Sequence, residues 1–354
     1  MALVVAGVCC LTLGVLAAPA SAHGRGSEST NFVSTILKTP DLPGVTWEVY
    51  GGDQYLAVTN TSDTELVVLD YEPEPQPYLR VGPDGVFENA ASKATYLNTD
   101  RYAEVGAFPP NVGPENEPRW RKISDEPTYA WHDHNIHWMS PTLPPIVVDA
   151  AQRTSIKTWK VPFTYDGADQ AIEGELLWVP PPSPLPWLAG AFVLTAAALL
   201  GLRPATGQDW IRPLVRPAAI VLLVVSVLNI THLVDDFLAV PAPFATQLVS
   251  GLQTALFIAL GMFGAIVSLR GRDGAFTALG VGSGGVFVGQ GVLYWDALTK
   301  TSSASVFPGW LARAVVSLSI VQALWVGATA VIGNRRLAQE DEQRAGAGGE
   351  VVAT

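Results

Sequence analysis

Beyond Pro184 the chain nearly loses its charge and becomes a series of apolar stretches, and a chain built this way has to fold in two solvents. Five stretches stand out, residues 185–202, 217–234, 244–269, 274–295 and 308–332. Each is long enough, or nearly so, to cross a hydrocarbon core of about 30 Å, which takes roughly 17 to 25 helical residues. Backbone groups inside lipid have to be satisfied within the segment itself, so the stretches are expected to be helices. The sequence therefore predicts an α-helical membrane bundle of five spans over residues 185–334. Only 15% of the 354 residues are charged, against about 25% in ordinary soluble domains. Residues 23–184 hold 11 Lys and Arg against 23 Asp and Glu, a net of −12, while the remainder holds 10 against 9, a net of +1. No basic footprint exists for a nucleic acid, and a hydrophobic content of 49% excludes disorder over most of the length.

Basic residues orient the spans. Arg203, Arg212 and Arg216 follow the first, Arg270 and Arg272 the third, and Arg335 and Arg336 the fifth, whereas the other connections carry Asp235, Asp236, Asp296 and Lys300. The positive-inside rule places the acidic half outside a plasma membrane and residues 335–354 in the cytosol, as a disordered tail. Residues 1–22 agree, reading as an export signal: an apolar run ends in Ala20-Ser21-Ala22, although no Lys or Arg precedes it. Cleavage there would leave His23 as the first residue and remove Cys9 and Cys10, the chain's only cysteines. An exported half without cysteine can form neither a disulfide nor a thiolate metal site.

Residues 23–179 read as β. Short alternating or β-branched runs at 55–59, 65–69, 155–163 and 172–179 are separated by Gly, Pro, Asn and Asp. The segment Val81-Gly82-Pro83-Asp84-Gly85-Val86 is a turn between extended pieces. Many short strands with no helical period predict an all-β, immunoglobulin-like sandwich, interrupted by a proline-rich loop at 107–127 and joined to the membrane by a stiff spacer, Pro180-Pro181-Pro182-Ser183-Pro184.

The chain has five histidines. His132, His134 and His137 fall within WHDHNIHWM (131–139), His23 stands at the expected mature N-terminus, and His232 lies in the second span. On an extended strand His132 and His134 would share a face, and His137 and Met139 would join them through a turn or bulge. Two or three imidazoles on one face make a metal half-site, and the α-amine and ring of His23 would add a chelate. Nitrogen donors favour Cu(II), while the scarcity of thioethers, Met139 and Met262 alone beyond the signal, argues against Cu(I). The alternative is a polar, aromatic strand and turn whose histidines are satisfied by hydrogen bonds.

An exported sandwich that begins with histidine and is fused to a helical membrane domain resembles the CopC–CopD type of copper-handling protein. The resemblance implies periplasmic or cell-surface copper binding coupled to a membrane partner domain, with His23 matching the family's N-terminal ligand. The hairpin at 166–169 carries no histidine, a departure from that pattern.

In the second span Ser226, Asn229, His232 and Asp236 recur at helical spacing. They form an intramembrane polar site or, alternatively, hydrogen bonds that pack one span on another. No GxSxG or HExxH motif points to an enzyme. The leading expectation is an envelope membrane protein acting in copper acquisition or resistance, its partners a metal ion and the bilayer. The competing one is a non-metal protein whose sandwich binds another envelope protein.

Overall fold

The computed structural model describes residues 29–99, 101–203, 211–242, 244–271 and 274–350, with side chains to residue 344. Residues 1–22, read from the sequence as an export signal, and His23 lie outside them. An N-terminal antiparallel β domain is followed by a helical region.

Among the described residues ten strands form two antiparallel sheets. The larger has the order β1-β10-β9-β4-β5-β6-β7, the smaller β2-β3-β8. In the larger sheet β1 is Phe32–Lys38, β4 Leu66–Leu69, β5 Pro77–Gly82, β6 Gly85–Asn89, β7 Trp120–Ser124, β9 Thr154–Tyr165 and β10 Ala168–Trp178. The smaller contains β2 (Val45–Tyr50), β3 (Tyr55–Asn60) and β8 (Thr128–Trp131). Alternation dictates which face is buried: along β9, Trp159, Val161 and Phe163 turn inward at every second position. They meet Leu56, Val58 and Trp131 from the smaller sheet in one core, with the rings of Trp47 and Phe163 5.1 Å apart. The β9–β10 hairpin turns on Asp166 and Gly167, whose φ values of 52° and 72° fit the primed turn that Asp-Gly favours. The strand readings at 55–59, 65–69, 155–163 and 172–179 are each found. The 107–127 loop is shorter than the sequence predicts, because Trp120–Ser124 pairs with β6 as an edge strand.

The helical region contains α2 (Leu185–Gly201), α3 (Val215–Leu228), α4 (Ile230–Leu238), α5 (Phe244–Leu269), α6 (Ala275–Val286), the short α7 (Asp296–Thr299) and α8 (Gly309–Glu350), α1 being a single turn at Ala94–Leu97 in the β domain. Four segments among the described residues are long and apolar enough to cross a membrane: Arg212–Leu238, Phe244–Leu269, Ala275–Val292 and Gly309–Arg344. The first expected span, α2, is apolar but has 17 residues, about 25 Å at 1.5 Å per residue. Prolines bound it, Pro184 and Pro186 at its start and Pro204 beyond its end. The last helix runs on through residues 335–350, where the sequence reading has a disordered tail. That stretch holds three Arg, three Ala, three Glu and two Gln, all helix formers, and Glu340 pairs with Arg212 at 2.6 Å.

Two departures from regular helix bring polar groups into the bundle. Asn229 separates α3 from α4, its side-chain amide donating to the Val225 carbonyl at 2.8 Å, in competition with the backbone ladder. Beyond α6 the chain continues as a π-helical turn, Phe287–Val292, a form found frequently at functional positions. It carries the fully buried Gln290.

The β domain is docked on the helices. Thr30 and Ser302 exchange backbone hydrogen bonds of 2.8 and 2.9 Å, the Thr301 amide donates to Asn31 Oδ1 at 2.9 Å, and the Thr301 hydroxyl donates to the Pro180 carbonyl at 2.8 Å. The loop after α7 thus clasps β1 and the start of the proline spacer.

Candidate functional site

The WHDHNIHWM segment is not a strand through its histidines, because β8 ends at Trp131. Asp133 makes the turn: its carboxylate accepts from the Asn135 amide at 2.9 Å and from the Trp131 indole at 2.9 Å, and the Ile136 amide closes on the Asp133 carbonyl at 3.1 Å. This Asx-type geometry, rather than strand alternation, gathers the histidines. The His137 ring centroid lies 5.2 Å from that of His134 and 6.4 Å from that of His132. Met139 stays exposed.

Each ring is held differently. His132 stacks near Tyr55 at 4.2 Å, and its Nδ1 lies 2.8 Å from the Gln54 carbonyl. A carbonyl can only accept, so Nδ1 is the donor in this contact. His134 stacks on Tyr71 at 5.6 Å. His137 has no exposed surface, and neither ring nitrogen has a hydrogen-bond partner. Burial, with Arg101 and the two neighbouring histidines adding to it, pushes its pKa down to about 2, so the ring is neutral.

Around the cluster, buried charges oppose one another. Arg101 reaches Asp53 at 2.6 Å; burial raises the Asp53 carboxyl, and Arg101 draws it back. Burial also raises Asp133 and lowers Lys157, which Asp133 and Asp53 pull upward. No local pattern marks Arg101, Asp53 or Lys157, which the tertiary fold alone gathers about the cluster. Among the described residues no group of three or more His, Cys, Asp or Glu side chains is arranged to hold a metal ion.

In the bundle, the expected stripe of Ser226, Asn229, His232 and Asp236 divides by role. Ser226 bonds back to the Leu222 carbonyl at 2.7 Å. Asn229 donates to Ser319 Oγ at 2.9 Å, and Ser283 donates to Gln322 Oε1 at 2.9 Å one layer further. These are packing bonds between spans. His232 stacks on Tyr294 at 4.1 Å and approaches Gln290 Oε1 with Nδ1 at 3.0 Å. Asp236 accepts from Ser250 at 2.7 Å. The Thr254 hydroxyl also bears on the Asp236 carboxylate, while His232 Nε2 has no partner and Asp236 Oδ2 has none within hydrogen-bond geometry, and both residues line a cavity of about 650 Å³ between bundle and β domain. Sequence spacing marked the stripe; the partners Gln290, Tyr294 and Thr254 come from other helices and left no local trace. Arg313, at the start of α8, donates to the Thr301 carbonyl at 3.2 Å and so braces the docking loop.

Comparison of the chain with family profiles, with curated proteins and with solved structures found no match.

Proposed function

We propose that the chain is a multi-pass plasma-membrane protein of the cell envelope. Its exported, immunoglobulin-like β domain binds a metal ion, copper, through His132, His134 and His137, in copper acquisition or resistance. The observation that carries this reading is His137, a neutral imidazole with two buried, unpartnered nitrogens beside two further imidazoles. Two imidazoles that share an ion at about 2.0 Å from each nitrogen have ring centroids roughly 5 to 6 Å apart. The His134–His137 separation of 5.2 Å falls within that range and the His132–His137 separation of 6.4 Å lies above it, so the proposed site pairs His134 with His137 as found and needs His132 to move toward them. The Gln54 carbonyl behind His132 is the outer partner that metal-binding histidines commonly have. His23 would add its amine in the mature protein.

The topology proposed with it has five crossings, α2 being a short first span. In its support, Asp235, Asp236 and Asp296 line the cavity beneath the β domain, and Arg212 pairs with Glu340 far along α8.

A second reading, a hydrogen-bonded aromatic turn in a protein that binds an envelope partner, draws on the bonds of His132 to Gln54 and Trp131 to Asp133. Calorimetry of the full chain in detergent separates the two. The metal reading expects Cu(II) to bind more tightly than Zn(II), with His134→Ala plus His137→Ala weakening Cu(II) at least tenfold. Equal affinity of wild type and double variant supports the second.

A further inference from the structure

The cavity between the β domain and the bundle has polar groups on opposite walls whose chemistry is complementary. On the helical side, Gln290 commits its amide nitrogen to the Thr254 carbonyl at 3.3 Å, so its oxygen faces His232. An oxygen acceptor at Nδ1 puts the imidazole proton there and leaves a lone pair on Nε2. Asp236 stands one helical turn further along α4, on the same face, and its Oδ2 is a second acceptor. His232 is 3% exposed and its Nε2 has no hydrogen-bond partner; Asp236 Oδ2 has none within hydrogen-bond geometry, with the Thr254 hydroxyl bearing on the same carboxylate.

On the β-domain side Arg101, whose side chain is 10% exposed, spends Nη2 on Asp53 and leaves Nη1 as a buried donor without a partner. All three residues line the same cavity of about 650 Å³, within the roughly 300 to 1,000 Å³ usual for small-molecule sites. A lone ion would leave most of that space and the guanidinium unanswered. Tyr102, Trp138 and Tyr294 add aromatic surface of the kind that favours an ammonium group.

We infer that this cavity binds a small zwitterion, its ammonium against His232 and Asp236 and its carboxylate or phosphate against Arg101. Buried polar groups are nearly always paired, and a zwitterion supplies a donor to the acceptor wall and an acceptor to the donor wall at once. The same chemistry is offered by a free amino-acid-like solute and by the headgroup of phosphatidylethanolamine. The inference does not depend on the histidine cluster of the β domain and is tested with metal chelated throughout.

The full chain in detergent with EDTA is titrated with O-phosphoethanolamine and β-alanine, the probes that carry both charges, and with ethanolamine and glycerol phosphate, which carry one each. A second arm measures, by native mass spectrometry from nanodiscs, retention of phosphatidylethanolamine over phosphatidylglycerol. Saturable binding of at least one two-charge probe, at least tenfold tighter than either one-charge probe, identifies a free solute. Selective retention of phosphatidylethanolamine without solute binding identifies the headgroup. In either case Asp236→Asn and Arg101→Gln should each weaken binding at least tenfold. Should Arg101→Gln fail to fold for want of the Asp53 pair, Asp236→Asn and the single-charge probes still decide. Water as the cavity's occupant would give no saturable response in either arm and would overturn the inference. Equal affinity for ethanolamine alone, or unchanged binding in Asp236→Asn, would do the same.

Discussion

His137 can gain a proton only by placing a charge where neither water nor a hydrogen-bond partner meets it. Burial, assisted by Arg101, lowers its pKa from the ordinary 6.5 to about 2. Between those values the unfolded chain holds the proton and the folded one does not, so the contribution to stability is full above pH 6.5 and lost as pH falls toward 2. The loss approaches about 1.4 kcal/mol for each pH unit, or about 2 kcal/mol between pH 6.5 and 5. The raised Asp53 and Asp133 act with opposite sign, so the useful quantity is the difference between wild type and His137→Leu. Denaturation of the metal-free full chain at pH 7 and pH 5 should show wild type losing more stability than the variant. Parallel losses would mean that water reaches the ring. The sequence made the three histidines conspicuous and misjudged how they meet. Strand alternation would have set His132 and His134 on one face, but an Asp133 carboxylate that accepts from Trp131 and Asn135 ends the strand first. Arg101 and Asp53 are invisible at this scale because their approach is decided by folding across 48 residues.

Among elements, those whose signal is periodic were legible. Strands β3, β4, β9 and β10 follow from alternation, and α3, α5, α6 and α8 from apolar length. The docking between domains was not, since it rests on backbone groups, on the Asn31, Thr301 and Arg313 side chains and on one glycine. Gly52 has φ +83°, and a Cβ there would lie 2.6 Å from the Phe32 carbonyl oxygen and 2.7 Å from the Ser302 side chain. Gly52→Ala is therefore expected to push the loop after α7 off β1 and to accelerate hydrogen exchange at the Thr30 and Ser302 amides at least tenfold. Gly106→Ala, with nothing within 4 Å, should leave those amides unchanged. Similar behaviour of the two variants would mean that the clasp does not depend on close approach at Gly52. In the bundle, a Cβ at Gly289 would overlap the Phe257 ring, so Gly289→Ala should displace the π-helical turn that carries Gln290. Loss of thermal stability of the full chain in detergent checks it, and an unchanged melting temperature would contradict the tight packing.

At the scale of the molecule, the change of solvent at Pro184 was the clearest message of the sequence, and the structure keeps it as a β domain followed by apolar helices. Span number was less legible, because a 17-residue helix bounded by prolines sits at the edge of what a bilayer requires. A cytosol-active reporter fused after residue 354 should be active, while a thiol introduced at Ser62→Cys should react with an impermeant reagent added to intact cells. An inactive reporter with normal expression would remove the five-crossing topology. The central claim, that the exported histidine cluster holds copper, is tested most directly by electron paramagnetic resonance of the full chain, purified with its natural N-terminus and loaded with one equivalent of Cu(II). The account predicts nitrogen hyperfine structure from at least two imidazoles, reduced when His134 and His137 are both replaced by Ala. A spectrum identical in wild type and double variant would contradict it.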